Sequence, residues 1–283
     1  MKTTLREKIT QYWNVQPPLK GSEEFPKGSL EWYRSISEHR YRVVPYMKEY
    51  VRFESYAGKK VLEIGCGAGT DLCEFARNGA WVIGIDITDS AVSLARERLA
   101  VEGLAGAVAK YDGRRLPFDG DSFDLVYSWG SLHHSPYMED IFAEAQRVLV
   151  KGGELKLMLY HRKSLLYYYS ILYLRMIQQG MAESRDELLS TFSEFRSGCP
   201  YTRVLSPSEV QDRLWYFSRV KTTVDYCVYD TPQERKRLGN HRFDLPPCGI
   251  VDLDAFFAEF NASVEAGEDL RKYGWHLLVS AFK

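Results

Sequence analysis

Between residues 60 and 160, short apolar runs alternate with segments whose apolar residues repeat at helical spacing. The apolar runs predict strands at about 61–64, 80–86, 107–111, 123–128 and 154–160. Most of these runs end beside glycine, aspartate or histidine. Buried strands that alternate with helices are typical of a parallel sheet with helices on both faces. The pattern therefore predicts an α/β fold.

Further segments lie outside this alternation. On the amino-terminal side, helical spacing predicts a helix at about 5–13 and another at 31–53, interrupted by Pro45. On the carboxyl-terminal side, the pattern predicts helices at about 164–178, 206–216 and 253–260 and strands at about 217–229 and 275–282. The chain is therefore longer than a minimal α/β domain and carries additions at its start and after the fifth strand.

The first strand is followed by a turn with three glycines. Gly65, Gly67 and Gly69 alternate with Cys66 and Ala68, and a helical segment begins directly afterwards. Glycines allow positive φ and close approach of a ligand, while the free N–H groups of a helix start face the same point. The nicotinamide fingerprint is G-x-G-x-x-G, whereas this chain has G-x-G-x-G with Glu63 two positions earlier. The turn predicts a nucleotide-like ligand without a pyrophosphate.

Polar residues also end the next three strands. Asp86 ends the second strand, where a carboxylate is suited to accept hydrogen bonds from two ribose hydroxyls. Asp112 and Gly113 follow the third strand, and the fourth runs into Trp129 and then His133-His134. We expect these strand ends to lie along one edge of the sheet.

The ordered set of motifs resembles the class I S-adenosylmethionine-dependent methyltransferases over roughly residues 55–160. It consists of E-x-G-x-G-x-G, I-D at the second strand end, Y-D-G-R-R-L-P-F, and L-H-H followed by R-V-L-V-K-G-G. The resemblance implies a Rossmann-like seven-stranded sheet in the order 3-2-1-4-5-7-6, parallel except for the last strand, with helices on both faces. Relatives often have proline where this chain has Lys151, but the two glycines that permit the turn are present.

The resemblance also implies S-adenosylmethionine as the cofactor and a role for each matched residue. Glu63 and the glycine turn would hold the methionine end, with Cys66 contributing only its backbone. Asp86 would hold the ribose and Asp112 the adenine amino group. The implied cofactor-binding residues are Glu63, Gly65, Cys66, Gly67, Gly69, Asp86, Ile87, Asp112, Gly113, Ser128 and Trp129.

Methyl transfer is an in-line displacement, so positioning and exclusion of water can supply much of the rate. An acceptor hydroxyl or acidic carbon also needs a general base, for which histidine is suited. His161, beside Tyr160 at the end of the fifth strand, is the first candidate, and His134 after the fourth strand is the second. We expect His133 to stabilise its loop. No cluster has convincing metal-ligand spacing, so no metal site is predicted.

Charge and composition limit the classes of partner and the cellular compartment that we expect. Lys and Arg number 37 against 38 Asp and Glu, so no broad basic surface indicates a nucleic-acid partner. The five cysteines are odd in number and lack zinc-site spacing, which favours a reducing compartment. The start lacks the apolar stretch of a signal peptide, and no apolar run reaches the roughly 20 residues of a spanning helix. We predict a cytoplasmic protein without a transmembrane segment.

These observations divide the chain into four segments. They are an amino-terminal helical lid (1–55), a cofactor-binding core (56–160), an inserted acceptor cap (161–216) and the end of the core sheet with a loop and helix insertion (217–283). The cap also resembles that of ubiquinone-pathway O-methyltransferases. Its Tyr- and Leu-rich helix is apolar nearly all round, so it is expected to line an acceptor pocket; a membrane surface or a homodimer interface are the alternatives.

The predicted function is methyl transfer to a small hydrophobic or aromatic molecule, at oxygen, nitrogen or carbon. A tRNA or protein methyltransferase shares the same core and is one alternative, which the neutral charge disfavours. A partner subunit that binds the cofactor without catalysis is the other.

Overall fold

The fold is a seven-stranded sheet with helices. The computed structural model describes residues 3–15, 24–194, 198–225, 243 and 245–283. The strands follow the order β3-β2-β1-β4-β5-β7-β6, which confirms the predicted Rossmann-like topology. Their bounds are β1 Lys60–Ile64, β2 Trp81–Asp86, β3 Ala107–Lys110, β4 Phe123–Trp129, β5 Leu149–Tyr160, β6 Arg219–Asp225 and β7 His276–Phe282.

Nine α-helices or short α-helical segments and one π-type helix accompany the sheet in the described part of the chain. The α-helices are α1 Leu5–Val15, α2 Leu30–Val43, α3 Met47–Val51, α4 Thr70–Arg77, α5 Asp89–Val101, α6 Met138–Val148, α7 Arg185–Phe192, α8 Pro207–Arg213 and α9 Val251–Glu265. The π-type helix, called the tyrosine-rich helix below, spans Leu166–Gln178. Short 3-10 turns span Phe53–Tyr56, Leu132–His134 and Leu270–Tyr273.

The observed elements lie close to the predicted ones, with one clear difference. The predicted break at Pro45 separates α2 from α3. The fifth strand begins earlier than predicted, because Gly152 and Gly153 exchange backbone hydrogen bonds with Lys283 at the end of the chain. The predicted continuation of the sixth strand over 226–229, together with Pro17, Pro18, Pro232 and Cys227, lies outside the described residues.

The first of two compact units comprises residues 1–157, 213–221 and 279–283. In it, β1 pairs in parallel with β2 and β4, and Glu63 lies between Gly84 and Tyr127 in register. Most apolar residues of these strands are buried, as the continuous apolar runs predicted, whereas Trp81 at the start of β2 is 69% exposed. This arrangement places the ends of β1, β2, β3 and β4 side by side.

The second unit comprises residues 158–212 and 222–278, and its centre is the tyrosine-rich helix. This helix packs against both α7 and α9. Tyr168 stacks flat on Phe256 with ring centroids 4.2 Å apart, and Tyr173 contacts Phe257 edge-on. Through Tyr168 and Tyr173, the tyrosine-rich helix therefore packs against α9 within the chain.

Within the described ranges, no helix combines the length and the apolar character that crossing a bilayer requires.

Candidate functional site

The glycine turn after β1 has the conformation that its sequence requires. Gly65, Gly67 and Gly69 all have positive φ, at 76°, 52° and 72°. A side chain at Gly65 would collide with Ser131, and one at Gly69 would come within 3.1 Å of the Ala95 Cβ. A side chain at Gly67 would meet no atom within 4 Å. Two glycines are therefore needed for packing, and Gly67 leaves open space beside the turn.

Glu63 is a buried carboxyl group at the base of this turn. Glu63 is only 3% exposed, and its Oε2 atom has no hydrogen-bond partner among the described residues. Burial, and then the charge of Asp71, raise the pKa of Glu63 well above its usual value, while Arg40 opposes the rise. A buried acceptor without a partner is costly unless a ligand supplies a donor. Glu63 therefore fits an ammonium or hydroxyl group of a bound molecule.

A network that the sequence did not reveal lies next to Glu63. Asp71 in the first turn of α4 accepts two hydrogen bonds from the Arg40 guanidinium, at 3.0 and 2.6 Å. The hydroxyls of Tyr41 and Tyr127 also donate to Asp71, at 3.2 and 3.0 Å. An acidic residue in a first helical turn is a common signal of stabilisation by the helix dipole. Nothing in the sequence pointed to Arg40, which lies 31 residues earlier on α2.

The helix that carries Arg40 is fixed to the core by a buried arginine. Arg98 of α5 is fully buried and donates to the carbonyl of Tyr33 and the hydroxyl of Thr70, both at 2.9 Å. The Tyr33 hydroxyl donates to the Leu94 carbonyl at 3.1 Å. These bonds join α2 to α4 and α5, so α2 is an integral layer of the first unit.

Asp86 ends β2 beside the glycine turn, as predicted. One carboxylate oxygen accepts the Gly67 N–H at 3.0 Å, and the other accepts the backbone N–H and hydroxyl of Thr88 at 2.9 and 2.8 Å. Burial raises the pKa of Asp86, and these hydrogen bonds limit the rise because they stabilise the ionised form. Asp86 therefore holds the turn and the end of β2 in one arrangement. Ile87 follows it directly.

Asp112 follows β3 and is held by two arginines. Its carboxylate accepts from Arg114 Nε and pairs with Arg6 of α1, each at 2.9 Å. Gly113 has φ 79°, a backbone conformation that favours glycine, and a Cβ there would only contact Ile64 and Ile141. Asp112 and Gly113 thus occupy the predicted strand end, and α1 covers this end through Arg6.

Helix α1 makes two further contacts at this edge of the sheet. The Asn14 side chain accepts the Ser90 N–H at 3.1 Å at the start of α5, and the Trp13 ring lies 4.9 Å from that of His134. The side chain of Arg6, by contrast, is 47% exposed. Helix α1 therefore lies over the strand ends through a few contacts, several of them near the surface.

The end of β4 brings Ser128 and Trp129 to the same edge. The Ser128 hydroxyl donates to the Ile64 carbonyl at 2.8 Å, which ties β4 to the start of the glycine turn. The buried Trp129 ring lies near the rings of Tyr46, Tyr50 and Tyr127. Cys66 is buried too, and burial raises the pKa of its thiol, so its backbone is the group suited to a ligand.

The candidate histidines are all buried. His133 and His134 lie in the 3-10 turn after β4, with ring centroids 4.3 Å apart. His161 forms a bridge to Leu205, and its backbone N–H donates to the Trp275 carbonyl. Its Nδ1 lies 3.1 Å from the Gly274 carbonyl. A carbonyl only accepts, so Nδ1 carries the proton and Nε2 is the basic atom.

The environments of His161 and Tyr160 also set their ionisation. Burial lowers the pKa of His161 to about 4, despite the Gly274 carbonyl, so the imidazole is neutral at physiological pH. The Tyr160 hydroxyl donates to Glu194 at 2.7 Å, and its ring stacks on Trp275 at 4.2 Å. Burial and the Glu194 charge raise the pKa of Tyr160 well above its usual value. Both side chains are neutral groups that can donate or accept hydrogen bonds.

The predicted cofactor residues of β1, β2, β3 and β4 therefore come together in the first unit and fit S-adenosylmethionine. The orphaned Glu63 oxygen suits the methionine ammonium, and the open space at Gly67 suits close approach of the ligand. Asp86 and Asp112 lie at the neighbouring strand ends.

Comparison with known proteins agrees with this geometry. A model of a methyltransferase domain family matches residues 61–153. The methyltransferase GfsG of Streptomyces halstedii is 38% identical over 109 residues, which cover 38% of this chain and 39% of the relative. The ubiquinone biosynthesis O-methyltransferase of Nitrosococcus oceani is 32% identical over 135 residues, covering 46% and 57%. The chain thus spans about half the length of the curated relatives it matches.

Solved structures share the fold over the whole chain. The [4+2]-cyclase SpnF superposes with a TM-score of 0.58 at 19% identity, covering 100% of this chain and 97% of that one. The geranyl diphosphate C-methyltransferase of Streptomyces coelicolor A3(2) gives a TM-score of 0.58 at 15% identity, covering 99% and 98%. At such identities the similarity supports the fold alone. The matched segment, residues 61–153, is a class I S-adenosylmethionine-dependent methyltransferase domain.

Proposed function

We propose that this protein transfers a methyl group from S-adenosylmethionine to a small hydrophobic or aromatic molecule, at oxygen, nitrogen or carbon. The observation that carries the proposal is the grouping of Glu63, Asp86 and Asp112 around an open glycine turn. Each of these carboxylates ends or follows a neighbouring strand of one sheet. Together they match the ammonium, ribose and adenine of the cofactor in order.

The bound cofactor supplies an electrophilic methyl group on a positively charged sulfur. Glu63 would accept a hydrogen bond from the methionine ammonium, Asp86 would orient the ribose and Asp112 the adenine. The Trp129 ring, buried beside Tyr46 and Tyr50, would exclude water from the end of β4. Fixing both reactants in line, in a site without water, can account for much of the rate of such a displacement.

The nature of the acceptor is inferred from relatives and from the cap. Sterol 24-C-methyltransferase of Yarrowia lipolytica (28% identical over 173 residues) and the ubiquinone enzyme are named for hydrophobic molecules. The predicted cap, residues 161–216, carries the tyrosine-rich helix, whose Tyr167 and Ile171 are buried. Aromatic rings with hydroxyl groups favour contact with an amphipathic acceptor. We therefore propose that the cap supplies acceptor contacts.

His161, Tyr160 and His134 remain the proposed catalytic residues. With a pKa near 4, His161 is a weak proton acceptor at neutral pH. Its neutral Nε2 can still accept a hydrogen bond and orient a hydroxyl or amine. We propose this orienting role for His161, with Tyr160 beside it, and a second contact from His134.

Two alternative functions have less support than this proposal. Action on tRNA or protein is disfavoured by the net charge of −1. A partner subunit that binds the cofactor without catalysis is the second alternative, since a fold by itself does not fix the chemistry. Transfer of labelled methyl groups to a panel of sterols, quinols and polyketides distinguishes catalysis from cofactor binding alone.

Titration calorimetry tests the proposed cofactor binding directly. We expect wild-type protein to bind S-adenosylmethionine and S-adenosylhomocysteine, and Asp86→Ala to weaken both by about 2–4 kcal/mol through loss of charge-assisted hydrogen bonds. Asp89→Ala is the matched control, since this nearby carboxylate is 73% exposed and pairs with Lys110. Unchanged affinity in Asp86→Ala, or preferential binding of NAD, would refute the assignment.

A further inference from the structure

A second cleft in the first unit lies at the edge of the sheet opposite the glycine turn. Lys59 directly precedes β1, whose other end leads into Gly65. The volume of the cleft is about 290 Å³, and Arg52, Ser55, Tyr56, Lys59, Lys156 and Phe282 are among the residues that line it. None of them belongs to the proposed cofactor site, so the methyl-transfer reaction does not account for the cleft.

The acidic residues of the cleft already have partners. Glu154 accepts hydrogen bonds from the hydroxyls of Tyr56 and Ser280, at 2.5 and 2.6 Å. Asp124 accepts the backbone N–H of Lys60 at 2.8 Å. Both carboxylates are thus engaged within the fold and are poorly placed to serve as ligands for a cation.

The buried cation of the cleft is engaged in the same way. The Lys156 side chain is 7% exposed, and its ammonium donates to the carbonyls of Tyr50 and Val51 at 3.2 and 3.1 Å. Burial lowers the pKa of Lys156, and the nearby charge of Arg52 lowers it further, although Glu154 opposes both. Lys156 thus pairs with Glu154 at 3.5 Å and also experiences the positive charge of Arg52.

Three donors at the mouth of the cleft have no hydrogen-bond or ion-pair partner in the described part of the chain. They are the exposed Arg52 guanidinium, Lys59 ammonium and Ser55 hydroxyl. The Lys59 ammonium lies 5.6 Å from the centre of the Tyr56 ring. Arg52, Lys59 and Lys156 outnumber Asp124 and Glu154 by one, so the lining carries a net positive charge.

The backbone of Arg52 adds an independent observation. Arg52 has φ 57° and ψ 57°, and it ends α3 by donating its N–H to the Lys48 carbonyl. Glycine is the usual residue at such a left-handed helix end, because other side chains are disfavoured there. The left-handed backbone conformation does not favour arginine at this position, but the arginine places a guanidinium at the cleft.

We propose that this cleft binds a small molecule carrying a phosphate group. A guanidinium fork, an ammonium and a hydroxyl provide donors in several directions, which matches the oxygens of a phosphate better than the two of a carboxylate. The rings of Tyr56 and Phe282 would contact the organic part of the ligand, with Arg219 stacked over Phe282 at 4.2 Å. The proposal uses no residue of the cofactor site.

Calorimetry and ³¹P NMR with phenyl phosphate test the proposal, with benzoate as the carboxylate probe. We expect saturable binding of phenyl phosphate to wild type and a loss of at least about tenfold in affinity in both Arg52→Gly and Lys59→Gln. Arg52→Gly should unfold at the same temperature as wild type or higher, because glycine relieves the left-handed backbone. Weakened binding in a variant of undiminished stability separates loss of a ligand from loss of the fold.

Arg34→Gln is the matched control, since Arg34 is exposed on α2 and the variant removes the same charge. It should bind phenyl phosphate as wild type does. Absence of saturable binding, equal affinity in wild type and Arg52→Gly, or equal weakening in the Arg34 control would overturn the site. Binding of benzoate as tightly as phenyl phosphate would overturn the choice of phosphate.

Discussion

A single methyl group added at Gly67 should separate the backbone role of the glycine turn from its ligand role. Gly67 has φ 52°, and a Cβ there would meet no atom of the fold within 4 Å. Alanine in a left-handed conformation costs about 1–2 kcal/mol relative to its preferred one. The Gly67→Ala variant should therefore fold, with stability reduced by about this amount.

The same substitution should also weaken cofactor binding. If the open space beside Gly67 is the path of the cofactor backbone, the new methyl group occupies it, and affinity should fall at least about tenfold, or 1.4 kcal/mol. Gly103→Ala is the matched control, because Gly103 has φ 66° and equally open surroundings but lies after α5. It should lose similar stability and no affinity.

Thermal or urea unfolding measures the first quantity, and calorimetry with S-adenosylhomocysteine measures the second. Gly65→Ala completes the series, because its Cβ would collide with Ser131, so this variant should lose clearly more stability than the other two. Equal cofactor affinity in Gly67→Ala and Gly103→Ala would refute the reasoning, since the open space would then have no bearing on the ligand.

Three further predictions concern the charges around the site. The folded-state pKa of Glu63 is raised above its unfolded value near 4.3, so the stability of the wild type should fall as pH rises through that value. Glu63→Gln removes this loss, so the melting temperature of the variant should exceed that of wild type increasingly from about pH 4 upwards. Parallel curves of melting temperature against pH would contradict this prediction. Arg6→Ala should change stability by less than about 1 kcal/mol but speed cofactor dissociation in stopped-flow experiments, because α1 loses its ion pair with Asp112; an unchanged rate would argue against α1 as a cover. His161→Ala should lower turnover with little change in cofactor affinity, and the wild-type pH–rate profile should show no ionisation of His161 between pH 6 and 9, since its pKa lies near 4; an inflection there that disappears in the variant would restore His161 as the general base.

The sequence by itself determined the glycine turn and the strand ends to which we assign the cofactor. Gly65, Gly67 and Gly69 required a turn with positive φ, and Asp86 and Asp112 marked the ends of the next two strands. Such features depend on neighbouring residues and on the rule that parallel strands end at one edge, so local patterns are sufficient. The resemblance then supplied the strand order, which local patterns alone do not give.

The tertiary structure decided which distant side chains meet. Arg40 donates a hydrogen bond to Asp71, 31 residues further along the chain. Tyr168 stacks on Phe256 of α9, so the tyrosine-rich helix packs against a distant helix of the same chain. Arg52 and Lys156, far apart in sequence, meet at one cleft. No periodicity encodes such pairs, because they depend on how whole elements pack. Turn chemistry is local and can be read from the chain, whereas the partner of a charged or aromatic side chain is fixed only when separate elements come into contact.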